Sequence, residues 1–277
     1  MNDYTITIYC FLDDYLKISS NKEDTRRKIS DAELLTTVIL AARYFRGNYV
    51  TACLYMENHQ GMKKLDKSNF NRHLHRLSAV LSSIFFALGD TLKELNISSK
   101  YLIDSFPVAI CKNIRIPRSK LLKEEVYRGY NASKREYFYG FKVQVVTTED
   151  GIPTDYFITA GSLHDKTAFD MMQIHLPEDS QLYADSAYTE YEVEDLYREV
   201  EKIELLVDRK SNSKRKDTPT EAFLKKHYRK RIETTFSEIT NYFPKKIHAV
   251  TPKGFLIKIL LFLLAFVFEK VNPLSTT

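Results

Sequence analysis

Cysteine is scarce in this chain. The three present, Cys10, Cys53 and Cys111, lie far apart and form no CxxC pair. That excludes a disulfide framework or a cysteine-based structural zinc site as the organising principle, and reduced thiols fit a cytosolic protein. Glycine and proline are sparse too, at 8 each, and no low-complexity tract or internal repeat is visible. The opening MNDYTITIYC has no basic stretch leading into a long apolar core, so a signal peptide is not expected. Long hydrophobic runs are also missing. The best candidate, FLIKILLFLLAFVFEKV at 255–271, is broken by Lys258 and leaves ten uncharged residues from Ile259 to Phe268. A bilayer needs about 20, so a buried terminal helix is expected and no membrane contact.

What is present suits a globular protein with a real core. The 277 residues are 44% hydrophobic and 28% charged, enough for one large domain or two ordinary ones. The net charge of +5 is unevenly spread. Residues 181–208 hold 2 basic and 9 acidic groups, a net of −7, whereas residues 209–277 hold 15 basic and 5 acidic groups, a net of +10. A concentrated positive field fits a polyanionic partner, although a solvated lysine-rich face has the same composition.

Periodicity divides the chain. Residues 1–97 read as helical: SDAE at 30–33 is a capping box ahead of an apolar run at helical spacing, and a second short helix ends near Gly61. A Ser68 cap then opens one long helix or two. SNFNRHLHRL allows a helix-turn-helix with Arg72, His73 and Arg76 exposed, or an ordinary helical bundle. Residues 98–272 switch to strand signals. YLID is a strand ending on Asp104, with Pro107 expected to halt the ladder. A hairpin follows, turning at Glu149-Asp150-Gly151, with Phe141, Val143 and Val145 alternating with Lys142 and Gln144 as in a half-buried strand. Then come a helix from Asp165, the strand QLYAD ending on Asp185, an acidic helix, the strand IELLVD, and a long helix with Thr218 as cap and Pro219 in its first turn. The expected fold is α/β: a mixed five-stranded sheet flanked by helices, preceded by an all-α N-terminal domain.

Two strands that end on aspartate, Asp104 and Asp185, can face each other across one sheet edge if they are neighbours. Functional groups gather at such strand ends. The long helix offers Glu233, beside the buried stripe of Ile232 and Phe236 and next to Arg229, Lys230 and Arg231. Mg²⁺ takes hard oxygen ligands and uses few protein carboxylates, and two such ions can activate an attacking hydroxyl and stabilise a leaving oxygen. Two aspartates and a glutamate meet that need. Taken singly, a strand-terminal aspartate also serves as an ordinary cap.

The stretches YLIDSFPV, GYNASKREYFYGFKVQVVTTEDGIP, ITAGSLHD, LYADSAY and RKRIETTF resemble the DDE transposases of bacterial insertion sequences, and IYCFLDDYLK with SNFNRHLHRL is similar to insertion-sequence family nine-eighty-two. The resemblance runs from about residue 8 to residue 270. It implies a ribonuclease-H-like fold, Mg²⁺ or Mn²⁺ as a pair of ions, and cleavage and strand transfer on double-stranded DNA at terminal inverted repeats. It further implies a target DNA, a homodimer on DNA, and a cytoplasmic, nucleoid-associated location. The family's three acidic positions fall on Asp104, Asp185 and Glu233. Tyr228 and Arg231 resemble a Tyr-x-x-Arg element, although the glutamate follows the arginine by two positions here and by four in the better-known signature. His164 and Asp165 match the family's HD pair, either as a helix cap or as support for the acidic residues. Lys142, Tyr228, Arg229, Lys230, Arg231 and the 209–216 loop are expected on DNA phosphates, with Arg72 and Arg76 serving end recognition. Two alternatives remain: a ribonuclease-H-like nuclease without strand transfer, and an inactive DNA-binding relative.

Overall fold

The computed structural model describes residues 1–19, 26–131, 134–210 and 213–272. The chain forms two compact units, one made of Met1–Phe85 and Tyr242–Thr277, the other of Phe86–Asn241. This differs from the expected division into 1–97 and 98–272, because the last helix packs with the N-terminal ones.

The first unit contains α1 (Asn2–Ile18), α2 (Asp31–Tyr44), α3 (Tyr49–His59), α4 (Lys67–Arg76), the start of α5 (Ser78–Leu95), and α9 (Pro252–Val271). The capping box that opens α2 forms as expected: Glu33 N–H donates to Ser30 Oγ at 3.0 Å, and Ser30 N–H donates to Glu33 Oε2 at 2.7 Å. Every residue of α9 from Ile259 to Phe268 is buried. A helix apolar on all sides must be surrounded, and α2, itself buried along most of its length, supplies one wall. The Phe11 and Phe268 rings, 5.4 Å apart, supply another contact. Among the described residues no helix is long and apolar enough to cross a membrane.

Two expectations at α4 are corrected. Its cap is Asp66, which accepts from Ser68 N–H at 2.9 Å and Asn69 N–H at 3.2 Å, so Ser68 lies inside the helix. His73 is buried rather than exposed, with its Nε2 against the Asp31 carboxylate and 2.7 Å from Arg27 Nη1. A buried imidazole needs such partners. The segment forms two helices, α4 and α5.

The second unit is a mixed sheet of six strands: β1 (Lys100–Cys111), β2 (Arg128–Asn131), β3 (Glu136–Thr148), β4 (Pro153–Ala160), β5 (Gln181–Ala184) and β6 (Glu204–Val207). Between them run α6 (Asp165–Met171) and α7 (Tyr191–Leu196), and α8 (Pro219–Tyr242) follows. One edge of β3 pairs antiparallel with β1; the other pairs with β2 and then β4. On the far side, β1 is parallel to β5, and β5 to β6. This order is consistent with a ribonuclease-H-like fold.

The sixth strand is β2, four residues with no apolar alternation to announce it. β1 also runs through Asp104 and Pro107 instead of stopping. Its β3 partner continues to Cys111, whereas pairing with β5 ends at Ile103↔Ala184. Beyond that point one edge of β1 has no parallel partner among the described residues, and a proline is tolerated on such an edge. β3 is buried on both faces, Gln144 included, rather than half-buried. One face of the sheet packs Tyr101, Ile103, Leu182, Ala184 and Val207 against Phe169 and Met172. On the other, α8 stacks Tyr228 on Tyr183 at 3.9 Å and sets Phe236 near Phe106 at 6.4 Å. Thr218 and Glu221 form a reciprocal cap at the start of α8, with the 218 N–H donating at 2.7 Å and the 221 N–H at 3.3 Å.

Candidate active site

Asp104 directly follows Ile103, and Asp185 directly follows Ala184. Those two preceding residues are paired across the parallel β1–β5 ladder. Neighbouring strands lie about 4.8 Å apart, so the two aspartates occupy adjacent strands at one level. Alternation along β1 and β5 puts them on the side of the sheet that carries Tyr183 and Phe106, the side α8 covers. A third aspartate stands in line. Ala184 pairs with Val207, and Asp208, the next residue, donates its N–H to Ala184 O at 3.1 Å. The sequence carries a signal for Asp208 as well: IELLVD has the same strand-then-aspartate pattern as YLID and QLYAD.

The electrostatics are unbalanced. Asp104 is pushed up to about 7, first by burial and then by the charge of Asp185; Asp165 and Glu233 add to it, and only the Ser105 N–H bond, at 2.7 Å, opposes. Asp185 is raised as well, again chiefly by burial. The Ala187 N–H at 2.8 Å and the charge of Arg229 work against that rise, while Asp165 and Asp208 reinforce it. Crowded carboxylates in a partly dry site favour the protonated form unless a cation arrives.

Asp165 is the first residue of α6 and does not cap it. Its carboxylate accepts from Ser105 Oγ at 2.6 Å and lies 3.3 Å from Lys142 Nζ, while its carbonyl accepts from Gln144 Nε2 at 2.9 Å. It therefore ties α6 to β1 and β3 immediately beside Asp104. His164 takes the cap position, exposed and without a capping side-chain bond.

Glu233 projects from the exposed side of α8, where Arg229 Nε meets its Oε1 at 3.5 Å. The same guanidinium reaches Asp208 Oδ2 through Nη1 at 2.7 Å. Among the described residues, no three carboxylate, imidazole or thiol groups stand close enough to hold a metal ion. Asp104 and Asp185 are adjacent; Glu233 acts on the charge of Asp104 but is turned to Arg229.

The residues expected on phosphates divide sharply. Lys230 and Arg231 are exposed on α8, with Arg231 Nε donating to Glu149 O at 2.9 Å. Lys142 is committed to Leu163 O at 2.8 Å and to Asp165. Tyr228 is buried, its hydroxyl donating to Glu149 Oε1 and accepting from Lys100 Nζ, both at 2.9 Å, so its surroundings are those of a packing residue. In the 209–216 loop, Arg209 pairs with Glu194, and Arg215 grips Asp195 through two bonds of 2.7 and 2.6 Å. Ser211 and Asn212 of that loop lie outside the described residues, as do Ala132 and Ser133. Arg72 and Arg76 are exposed on α4 and line an open cleft with Lys67 and His75.

The parallel strands carry aspartates at one level, and the helix that covers that side of the sheet bears a glutamate. Residues 94–248, more than half of the chain, match the family model described as Transposase DDE domain, and the chain belongs to that family. Membership implies action on DNA and general use of divalent metal ions. Nothing matches among curated proteins or among solved structures.

Proposed function

We propose that this chain cuts DNA at the ends of a mobile element and joins them to a target, with Asp104, Asp185 and Glu233 as its metal-holding carboxylates. The observation that carries this reading is the placement of Asp104 and Asp185 one residue beyond the paired Ile103 and Ala184, beneath the helix that bears Glu233. The donor set suits Mg²⁺ or Mn²⁺: three carboxylates, which are hard oxygen ligands. The charges that raise Asp104 are all negative, which a cation relieves. Bound as a pair, the ions supply an activated oxygen nucleophile and charge stabilisation at the leaving oxygen.

The remaining roles belong to the chain itself. Asp165, held by Ser105 and Lys142, keeps the Asp104 segment of β1 in place. Lys230 and Arg231 hold backbone phosphates, contacts that set affinity and salt sensitivity rather than sequence choice. Arg72 and Arg76 on α4 contact the terminal inverted repeats, and two copies act together on paired ends. Asp185→Asn and Glu233→Gln should each lower cleavage of end-containing duplex DNA at least about a thousandfold, as expected for loss of a metal-holding group. Wild-type cleavage by either variant overturns the site. A strand-transfer assay with a pre-cut end separates joining from hydrolysis alone.

A further inference from the structure

Arg229 is a guanidinium set among carboxylates. It reaches Asp208 at 2.7 Å and Glu233 at 3.5 Å, and its charge also acts on Asp185. These contacts join the end of β6 to the middle of α8 across the site just described. Glu233 meets its own arginine, and among the described residues no ready-made metal cluster stands.

We propose that Arg229 is a positioning residue that pairs with Glu233 and Asp208 in the DNA-free protein and holds them aside until a DNA phosphate draws it away. The inference rests on the metal-holding role given above to Asp104, Asp185 and Glu233. Three features support it. The Arg229 side chain is 55% exposed and that of Glu233 66% exposed, and an ion pair exposed to that degree is weak, so a competing anion can displace it; the pair with Asp208, 25% exposed, is the firmer of the two. Guanidinium binds phosphate through paired hydrogen bonds, which makes the backbone of DNA a strong competitor for it. Lys230 and Arg231, its neighbours on α8, are exposed and bring the same polyanion to the helix. The consequence is order: metal binding is coupled to DNA binding, and the free protein is kept from assembling its site.

The experiment is Mn²⁺ binding by the full chain, read by the electron paramagnetic resonance of free Mn²⁺, with and without a 30-base-pair duplex. Wild type should bind Mn²⁺ weakly alone and about tenfold more tightly with duplex; tenfold is the scale set by one positive charge repelling a divalent ion a few ångströms away in water. Arg229→Gln should show the tighter binding without DNA and gain nothing from adding it. Arg229→Lys, which keeps the charge, should bind Mn²⁺ as weakly as wild type without DNA, and Arg229→Gln/Glu233→Gln should lose the gain. Equal Mn²⁺ affinity of wild type and Arg229→Gln without DNA overturns the proposal while leaving the metal site standing. No Mn²⁺ binding by any of these proteins overturns both.

Discussion

Asp104 shows how much of this site is decided by a single side chain's surroundings. Its ordinary value of 3.8 rises to about 7 in the folded protein, so the folded state holds a proton that the unfolded chain has released. Stability therefore falls as pH climbs from about 4 to 7, and above 7 the ionised carboxylate is a standing cost. A rise from 3.8 to about 7 corresponds to roughly 4 kcal/mol; residual solvent contact at Asp104 lowers the effect to about 2 kcal/mol. Asp104→Asn should thus raise the melting temperature of the metal-free protein at pH 8 by about 4–8 °C, and by almost nothing near pH 4. Calorimetry in EDTA reads this directly, and a variant less stable than wild type at pH 8 refutes it. Asp104 and Asp185 were legible because a strand that runs into an acid is a local pattern. Asp208 has the same pattern, but its standing depends on β6 lying beside β5. The burial of His73 was not legible at all: its partner Asp31 lies 42 residues away.

Elements read from the sequence where their signals are local. The box at Ser30 and Glu33 and the cap at Thr218 and Glu221 both form. Elements escaped where a distant neighbour decides. β2 exists because Glu136–Tyr139 of β3 offers it an edge, and β1 passes Pro107 because β5 has already ended. The last helix is the sharpest case. Its composition announces burial, but only the fold says against what. Leu264 is fully buried within α9, in the unit formed by the N-terminal helices. Leu264→Ala should cost about 2–5 kcal/mol, the range for truncating a buried leucine. The loss belongs to the helical unit. Hydrogen exchange should therefore accelerate in α2 and α9 while the β1 and β3 amides keep their protection. Faster exchange confined to β1 and β3 refutes that assignment.

Across the whole chain, the charge asymmetry is less generous than it reads. The +10 of residues 209–277 counts cations already engaged within the protein: Arg209 with Glu194, Arg215 with Asp195, Lys225 with Asp217 and Arg229 with Asp208. The acidic segment 181–208 and the basic loop after it thus neutralise each other in part, a pairing that net charge per segment cannot reveal. A cation that leaves a carboxylate for a phosphate breaks one ion pair as it makes another and so adds less to counterion release, whereas an uncommitted exposed one contributes its full share. Each phosphate neutralised adds about 0.9 to the slope of log affinity against log salt on duplex DNA. Lys230→Gln should therefore lower that slope by about 0.9, and Arg215→Gln, which breaks the bidentate pair with Asp195, should lower it by much less. Fluorescence anisotropy on a labelled duplex between 50 and 300 mM NaCl measures both. Equal losses for the two variants would mean that the Arg215–Asp195 pair opens on DNA and that the loop joins the binding surface after all.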